Sequence, residues 1–246
     1  MIYVVGFGPG DRKRMTNEAE EAIASADVVV GYTGYTALMK PLFPDKDYLE
    51  TGMRGEIARC EVVVDLAQEG KNVALICSGD AGIYGMAALL LEILDRRNKT
   101  EEIDVHIVAG VTAALAGAAL LGAPLGHDLA FISLSDLLTP WEVIEKRLLA
   151  AGDADFCIAL YNPSSKGRKD HLKKACDLLL TVKDKDTVCG IADRIGREGE
   201  QTRILSLSEL GEAETDMQSV VLIGNSMTKR VGDRMVTERG YLNKYG

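Results

Sequence analysis

Basic residues are the minority charge in this chain. Lys and Arg number 28 against 37 Asp and Glu, which gives a net charge of −9 and a pI near 5.0. That balance excludes a general electrostatic attraction to nucleic acid or anionic membrane, so an acidic ligand would need basic residues gathered locally. Cysteine is sparse. The five thiols (Cys60, Cys77, Cys157, Cys176, Cys189) are odd in number, widely spaced and without a CxxC pair. Three lie in apolar strand-like runs, the pattern of reduced, packed thiols in a cytosol rather than of a zinc site or disulfide framework. No basic segment precedes the opening MIYVVGFGPG, so a secretory leader is not expected. The one long uncharged stretch, residues 107–126, is mostly alanine and glycine and is interrupted by Pro124. It predicts a strand end followed by a buried small-residue helix, not a membrane span.

A dinucleotide-binding fingerprint is also missing. The loop Gly6-Phe7-Gly8-Pro9-Gly10-Asp11 has Asp11 where G-x-G-x-x-G needs its third glycine, and Pro9 removes an N–H from a phosphate cradle. The next apolar run, residues 27–30, leads into Gly31-Tyr32 rather than an acidic residue that could hold a ribose. A nicotinamide-type site is therefore disfavoured.

What is present centres on VALICSGDAGIYGMA, residues 73–87. Val73 to Cys77 are apolar without alternation, as in a strand buried on both faces. Three glycines at 79, 82 and 85 then surround Asp80, and such a loop at a strand's carboxyl end is where an open α/β sheet binds a small molecule. Before it, the pattern gives a strand over residues 2–5, a helix capped by Thr16, a strand over 27–30, a helix around 35–39, an extended piece at Tyr48-Leu49 and a helix over 56–68. After it come a helix over 84–94 and a strand over 105–108. This order implies a parallel sheet covered on both sides.

Beyond Gly126 strands are expected at 129–134, 156–161, 187–192, 203–205 and 219–223. Helices are expected from Thr139-Pro140-Trp141-Glu142, with Thr139 as cap, and over 171–180. Short connections there allow antiparallel pairs and a mixed sheet. The whole is α/β, with two domains over 1–118 and 119–246 and a join near 115–126. VVGFGPG, VVVGYTG, ICSGDAG, IVAGVT, ALYNPSS and LIGNS are all apolar runs opening into small or polar residues. Several such loops are expected to line one cleft.

These residues resemble a known family. GFGPGD, SGDAGIYG, AGVTAA, LYNPSSKGR and GNSMT look like the tetrapyrrole (corrin/porphyrin) methyltransferases that use S-adenosylmethionine, across nearly the whole chain. Within it, GAPLGHDLAFISLSDLLTPWEVIEKR, LYNPSSKGR and MVTERGY resemble the cobalamin-pathway branch that methylates C17 of precorrin-3B, or of cobalt-factor III, with ring contraction. The resemblance implies a cytoplasmic homodimer of two-domain α/β chains with the cofactor in the cleft between domains, and S-adenosylhomocysteine as product. It assigns cofactor contacts to Pro9, Gly79, Asp80, Ile83, Thr112, Ala113, Asn162 and Ala192. Ser78 and Ala81 stand where many relatives have glycine and proline.

Methyl transfer to an electron-rich carbon asks mainly for placement and exclusion of water. Ring contraction asks for a base, for which His127 is the first candidate, with Asp136 and Tyr161 behind it. Arg12, Lys166 and Arg168 are the expected partners of the substrate's carboxylates. No protein-bound metal is expected, because Asp80 has no neighbouring carboxylate or histidine in sequence. The competing expectations are a sibling acting at another macrocycle carbon, a relative modifying a non-tetrapyrrole, and an idle sensor of either ligand.

Overall fold

Three apolar runs form the middle of the first sheet, because each is hydrophobic on both faces and is stable between two helical layers, while its two edge strands are partly polar and exposed. The computed structural model describes residues 1–165 and 167–246. Lys166, one of the expected substrate contacts, lies outside the described residues. The chain divides into two compact units, Met1–Ala113 and Ala114–Gly246.

In the first unit the elements are β1 (Ile2–Gly6), α1 (Asn17–Ser25), β2 (Val28–Tyr32), α2 (Thr33–Met39), β3 (Asp47–Thr51), α3 (Glu56–Gln68), β4 (Val73–Cys77), α4 (Ala87–Arg96) and β5 (Val105–Val108). The strands run in the order β3-β2-β4-β1-β5, all parallel. β4 is central, with Val73 registered to Ile2 on one side and Val28 on the other. Alternation along the strands sorts the core into two layers. Val4, Val30 and Leu75 pack with Cys60, Val63, Leu90 and Leu94 of α3 and α4. Val5, Val29 and Ile76 pack with Ala19, Ile23 and Met39 of α1 and α2. The parallel sheet covered on both faces is as the apolar pattern implied.

The second unit follows from α5 (Ala113–Leu121) through β6 (Gly122–Ala123), β7 (Leu129–Ser133), α6 (Trp141–Asp153), β8 (Cys157–Tyr161), α7 (His171–Leu179), β9 (Val188–Asp193), β10 (Gln201–Ser206), α8 (Leu207–Leu210), β11 (Ser219–Ile223), β12 (Thr228–Val231), β13 (Arg234–Thr237) and α9 (Tyr241–Tyr245). Its main sheet is mixed, in the order β10-β9-β11-β8-β7, with β7 and β8 parallel and the other neighbours antiparallel. Ile144, Leu148, Leu172 and Leu179 of α6 and α7 cover one face.

Three details differ from the sequence expectations. The helix expected from residue 84 begins at Ala87, because Tyr84 adopts a left-handed φ of 54° and Ala87 N donates to Ala81 O at 3.1 Å, closing residues 81–86 into a tight loop. Thr139 does not cap α6. Pro140 occupies the cap position, and the residue before a proline is held extended. The glycine-rich basic end contains a hairpin, β12 and β13, which turns through Gly232 at φ +62°. Among the described residues no helix is long and apolar enough to cross a membrane.

All five cysteines are buried and free. Burial, with Cys77 close by, pushes the Cys60 thiol up to about 12, and burial pushes Cys77 up to about 11 and Cys176 to about 12. Thiolate is the reactive form, so native protein at neutral pH is expected to resist iodoacetamide until denatured. Rapid alkylation of the native chain, followed by mass, would contradict this packing. Leu75→Ala, at a fully buried position of β4, is expected to cost about 2–5 kcal/mol in urea denaturation.

Candidate functional site

The carboxyl ends of β1, β4 and β5 meet backbone to backbone. Gly8 N donates to Gly79 O at 3.0 Å and Gly79 N to Gly8 O at 2.7 Å, a short antiparallel bridge between two loops that leave parallel strands. Both glycines have left-handed φ, +80° and +74°. The β5 loop comes closer still. A Cβ on Gly110 would lie 2.1 Å from Gly79 O and 2.4 Å from Gly6 O, so only glycine lets the three segments touch.

Asp80 fixes this arrangement. Its Oδ1 accepts from Gly82 N at 2.8 Å and Ile83 N at 3.0 Å, and its Oδ2 accepts from Gly110 N at 2.9 Å. Both oxygens are thereby committed to main chain, and the carboxylate ties the β4 loop to the β5 loop. Gly79 faces Thr112 and Ala113, whose Cα and N lie 3.7 and 3.8 Å from where its Cβ would stand. Pro9 and Thr112 are buried and Ile83 is half-buried, whereas Gly82 is exposed. The structure thus brings Pro9, Gly79, Asp80, Ile83, Thr112 and Ala113 onto one set of three adjoining loops. Gly110 belongs with them. Its signal was its place in AGVT, while the Asp80 bonds follow the familiar preference of Asp for N–H groups two and three residues ahead.

Arg12 stands in the helical turn after the β1 loop, exposed, with its Nε donating to Glu20 at 3.1 Å. Its charge is already partnered.

In the second unit the parallel neighbours β7 and β8 end in another polar cluster. Asn162, at φ +54°, donates from Nδ2 to Ser133 Oγ at 2.9 Å. Arg168 donates from Nε to Ser165 Oγ at 3.2 Å and from Nη1 to Ser135 Oγ, with Asp136 at 3.9 Å. His171, almost buried, places Nε2 3.1 Å from Asp136 and its ring edge-on to Trp141 at 4.8 Å. The His171 hydrogen bond, helped by the charge of Arg168, holds the Asp136 carboxyl below the usual range. Tyr161 accepts on its hydroxyl from Ala114 N at 3.1 Å. Ala192 is fully buried near the carboxyl end of β9, against Gly117 of α5.

His127 is exposed on the connection between β6 and β7. Beside it in sequence, Gly122 to Gly126 with Ala118, Thr237 and Arg239 line a shallow depression of about 330 Å³. The other two histidines are engaged by carboxylates, His106 by Glu18 at 2.7 Å and His171 by Asp136. Among the described residues no group of three or more His, Cys, Asp or Glu is placed to hold a metal.

Removing the Asp80 acceptor tests the cradle directly. In Asp80→Ala, exchange of the Gly82, Ile83 and Gly110 amides is expected to accelerate about tenfold, the equivalent of roughly one hydrogen bond each. Unchanged protection would show that the glycine contacts alone hold the loops.

The family model for "Tetrapyrrole (Corrin/Porphyrin) Methylases" matches residues 1–211. A probable cobalt-factor III C(17)-methyltransferase of Salmonella typhimurium is 49% identical over 241 residues, covering 98% of this chain and 99% of the relative. A precorrin-3B C(17)-methyltransferase of a Sinorhizobium species is 41% identical over 94% of this chain and 91% of its own length. The crystal structure of the methyltransferase CobJ superposes with a TM-score of 0.90 at 35% identity, over 96% of this chain and 99% of that one.

Proposed function

The chain belongs to the tetrapyrrole (corrin/porphyrin) methylases, and from that premise we propose that it transfers a methyl group from S-adenosylmethionine to C17 of cobalt-factor III or precorrin-3B, with ring contraction, in cobalamin biosynthesis. The observation that carries the cofactor is the glycine cradle of the first unit, where a Cβ at Gly110 would close the approach of three strand ends. The C17 position rests on the near full-length similarity to the two C(17)-methyltransferases.

When bound, S-adenosylmethionine supplies an electrophilic methyl group on a sulfonium. The protein's own part is placement. Gly8, Gly79 and Gly110 allow main chain to approach a ligand, and Asp80 holds the loop rigid by spending its carboxylate on three N–H groups. Within the first unit Pro9, Gly79, Ile83, Thr112 and Ala113 form the contact surface, and the family resemblance adds Asn162 and Ala192 to the cofactor contacts. S-adenosylhomocysteine leaves as product.

A corrin precursor carries many acidic arms, and Arg168 is built to receive one. Ser135, Ser165 and Asp136 fix its guanidinium, while among the described residues Nη2 has only a thioether, Met217 Sδ at 4.0 Å. Arg12 serves the same purpose once Glu20 is exchanged for a ligand carboxylate. Lys166 is the third of these cations by its place in LYNPSSKGR.

On a substrate that already carries a hydroxyl at C20, ring contraction removes the proton of that hydroxyl. His127 is the base in this reading, since among the described residues it is the histidine that no carboxylate engages. The enzyme works as a cytoplasmic homodimer, an inference supported by the family resemblance, with the five free, buried thiols in keeping with a reducing compartment only.

Incubation with S-adenosylmethionine and either cobalt-factor III or precorrin-3B, followed by mass spectrometry, is expected to show a gain of one methyl on one of the two. No gain on either overturns the assignment. His127→Ala is expected to release a methylated but uncontracted product or to slow turnover by about 10²–10⁴. Full activity would remove His127 from the mechanism.

A further inference from the structure

Arg59 of α3 is only 4% exposed, yet its guanidinium meets no carboxylate among the described residues. Nε donates to Thr51 Oγ1 at 2.7 Å and Nη2 to Gly52 O at 3.1 Å, while Nη1 has only Met86 Sδ at 3.8 Å. A thioether is a weak acceptor, so Nη1 holds no strong partner. A buried cation without a counter-charge is costly, and natural chains keep such a group where something supplies the missing charge. Arg97, Arg168 and Arg203 show the contrast, since each has a carboxylate within 4 Å.

Its place in the fold says what could supply that charge. Thr51 ends β3, Gly52 follows it, and Met86 precedes α4 at the close of the β4 loop. Arg59 therefore sits at the carboxyl rim of the same parallel sheet as the glycine cradle. The cradle is formed at β4, β1 and β5, and Arg59 lies toward β3. The two loops it bridges also leave large apolar side chains in solvent: Met53 at 68%, Ile57 of the adjoining helix turn at 63% and Tyr84 at 54%. Exposed apolar surface over a buried, uncompensated cation suits a ligand with a flat apolar body and acidic arms.

We propose that Arg59 receives a peripheral carboxylate of the macrocycle, with Met53, Ile57 and Tyr84 presenting apolar surface to the ring. The proposal rests on the tetrapyrrole reading above and adds to it a fourth cation, a buried one, on the first unit. The carboxylate of the cofactor's amino-acid end has the same chemistry, so the test separates the two sources.

Cobalt-factor III is titrated by absorbance, and S-adenosylhomocysteine by calorimetry, into the full-length wild type, Arg59→Met and Arg59→Lys. The expected result is at least a tenfold loss of cobalt-factor III affinity in Arg59→Met, as for a charge-assisted hydrogen bond. Arg59→Lys recovers part of it, and S-adenosylhomocysteine affinity stays within about twofold. Met86→Glu, compared with Met86→Gln, gives a readout in a chain that keeps Arg59. An internal carboxylate should raise the melting temperature of the free protein and weaken cobalt-factor III binding together. Equal macrocycle affinity in wild type, Arg59→Met and Met86→Glu overturns the role of Arg59 alone. A loss confined to S-adenosylhomocysteine overturns it in favour of the cofactor. A wild type that binds S-adenosylhomocysteine but no macrocycle overturns this proposal and the tetrapyrrole reading together.

Discussion

One carboxylate organises the first unit's rim. Asp80 accepts three main-chain N–H groups from two loops, and those loops belong to strands that do not adjoin, since β1 lies between β4 and β5. Such bonds to a charged acceptor are among the stronger hydrogen bonds in a protein. They hold flat a region where the main chain, rather than side chains, forms the surface. Glycine makes the approach sterically possible and Asp80 makes it stay. Neither suffices alone, because a glycine-lined loop without the carboxylate has many conformations to lose on binding.

The second unit solves a related problem with different chemistry. There the loops after β7 and β8 carry side-chain networks, from Asn162 to Ser133 and from Arg168 through Asp136 to His171. A cation held by two hydroxyls and a carboxylate is preorganised for a planar acid group. The division of labour is physical. Main-chain surface suits a cofactor with many small polar groups, and fixed arginines suit a substrate whose recognition is by charged arms. On an acidic protein cations are the minority charge, and Arg12, Arg59 and Arg168 each have a distinct set of neighbours.

Where sequence patterns were read correctly, local physics was strong. The runs at 73–77 and 219–223 became strands with those limits, because nothing competes with burial on both faces, and 105–108 did so as an edge strand with His106 and Ile107 exposed. The helix over 56–68 was equally plain. Errors fell where a few residues answer to tertiary contacts. Tyr84 and Gly85 look helical in sequence but are bent into a loop by the Ala81 carbonyl. The hairpin of β12 and β13 is short and polar, and its strands exist because β13 pairs with β6, more than a hundred residues earlier.

The sequence by itself determined the two α/β units, the parallel and mixed sheets, the glycine loops at strand ends and the family resemblance. These follow from residue period, composition and motifs that act within a few neighbours. Only the tertiary structure decided that Asp80 spends its carboxylate on the protein's own main chain, that Arg12 is already paired with Glu20, and that Arg59 is buried without a counter-charge among the described residues. A carboxylate or guanidinium looks the same in sequence whether it is free or engaged, and the partner that decides lies on another loop.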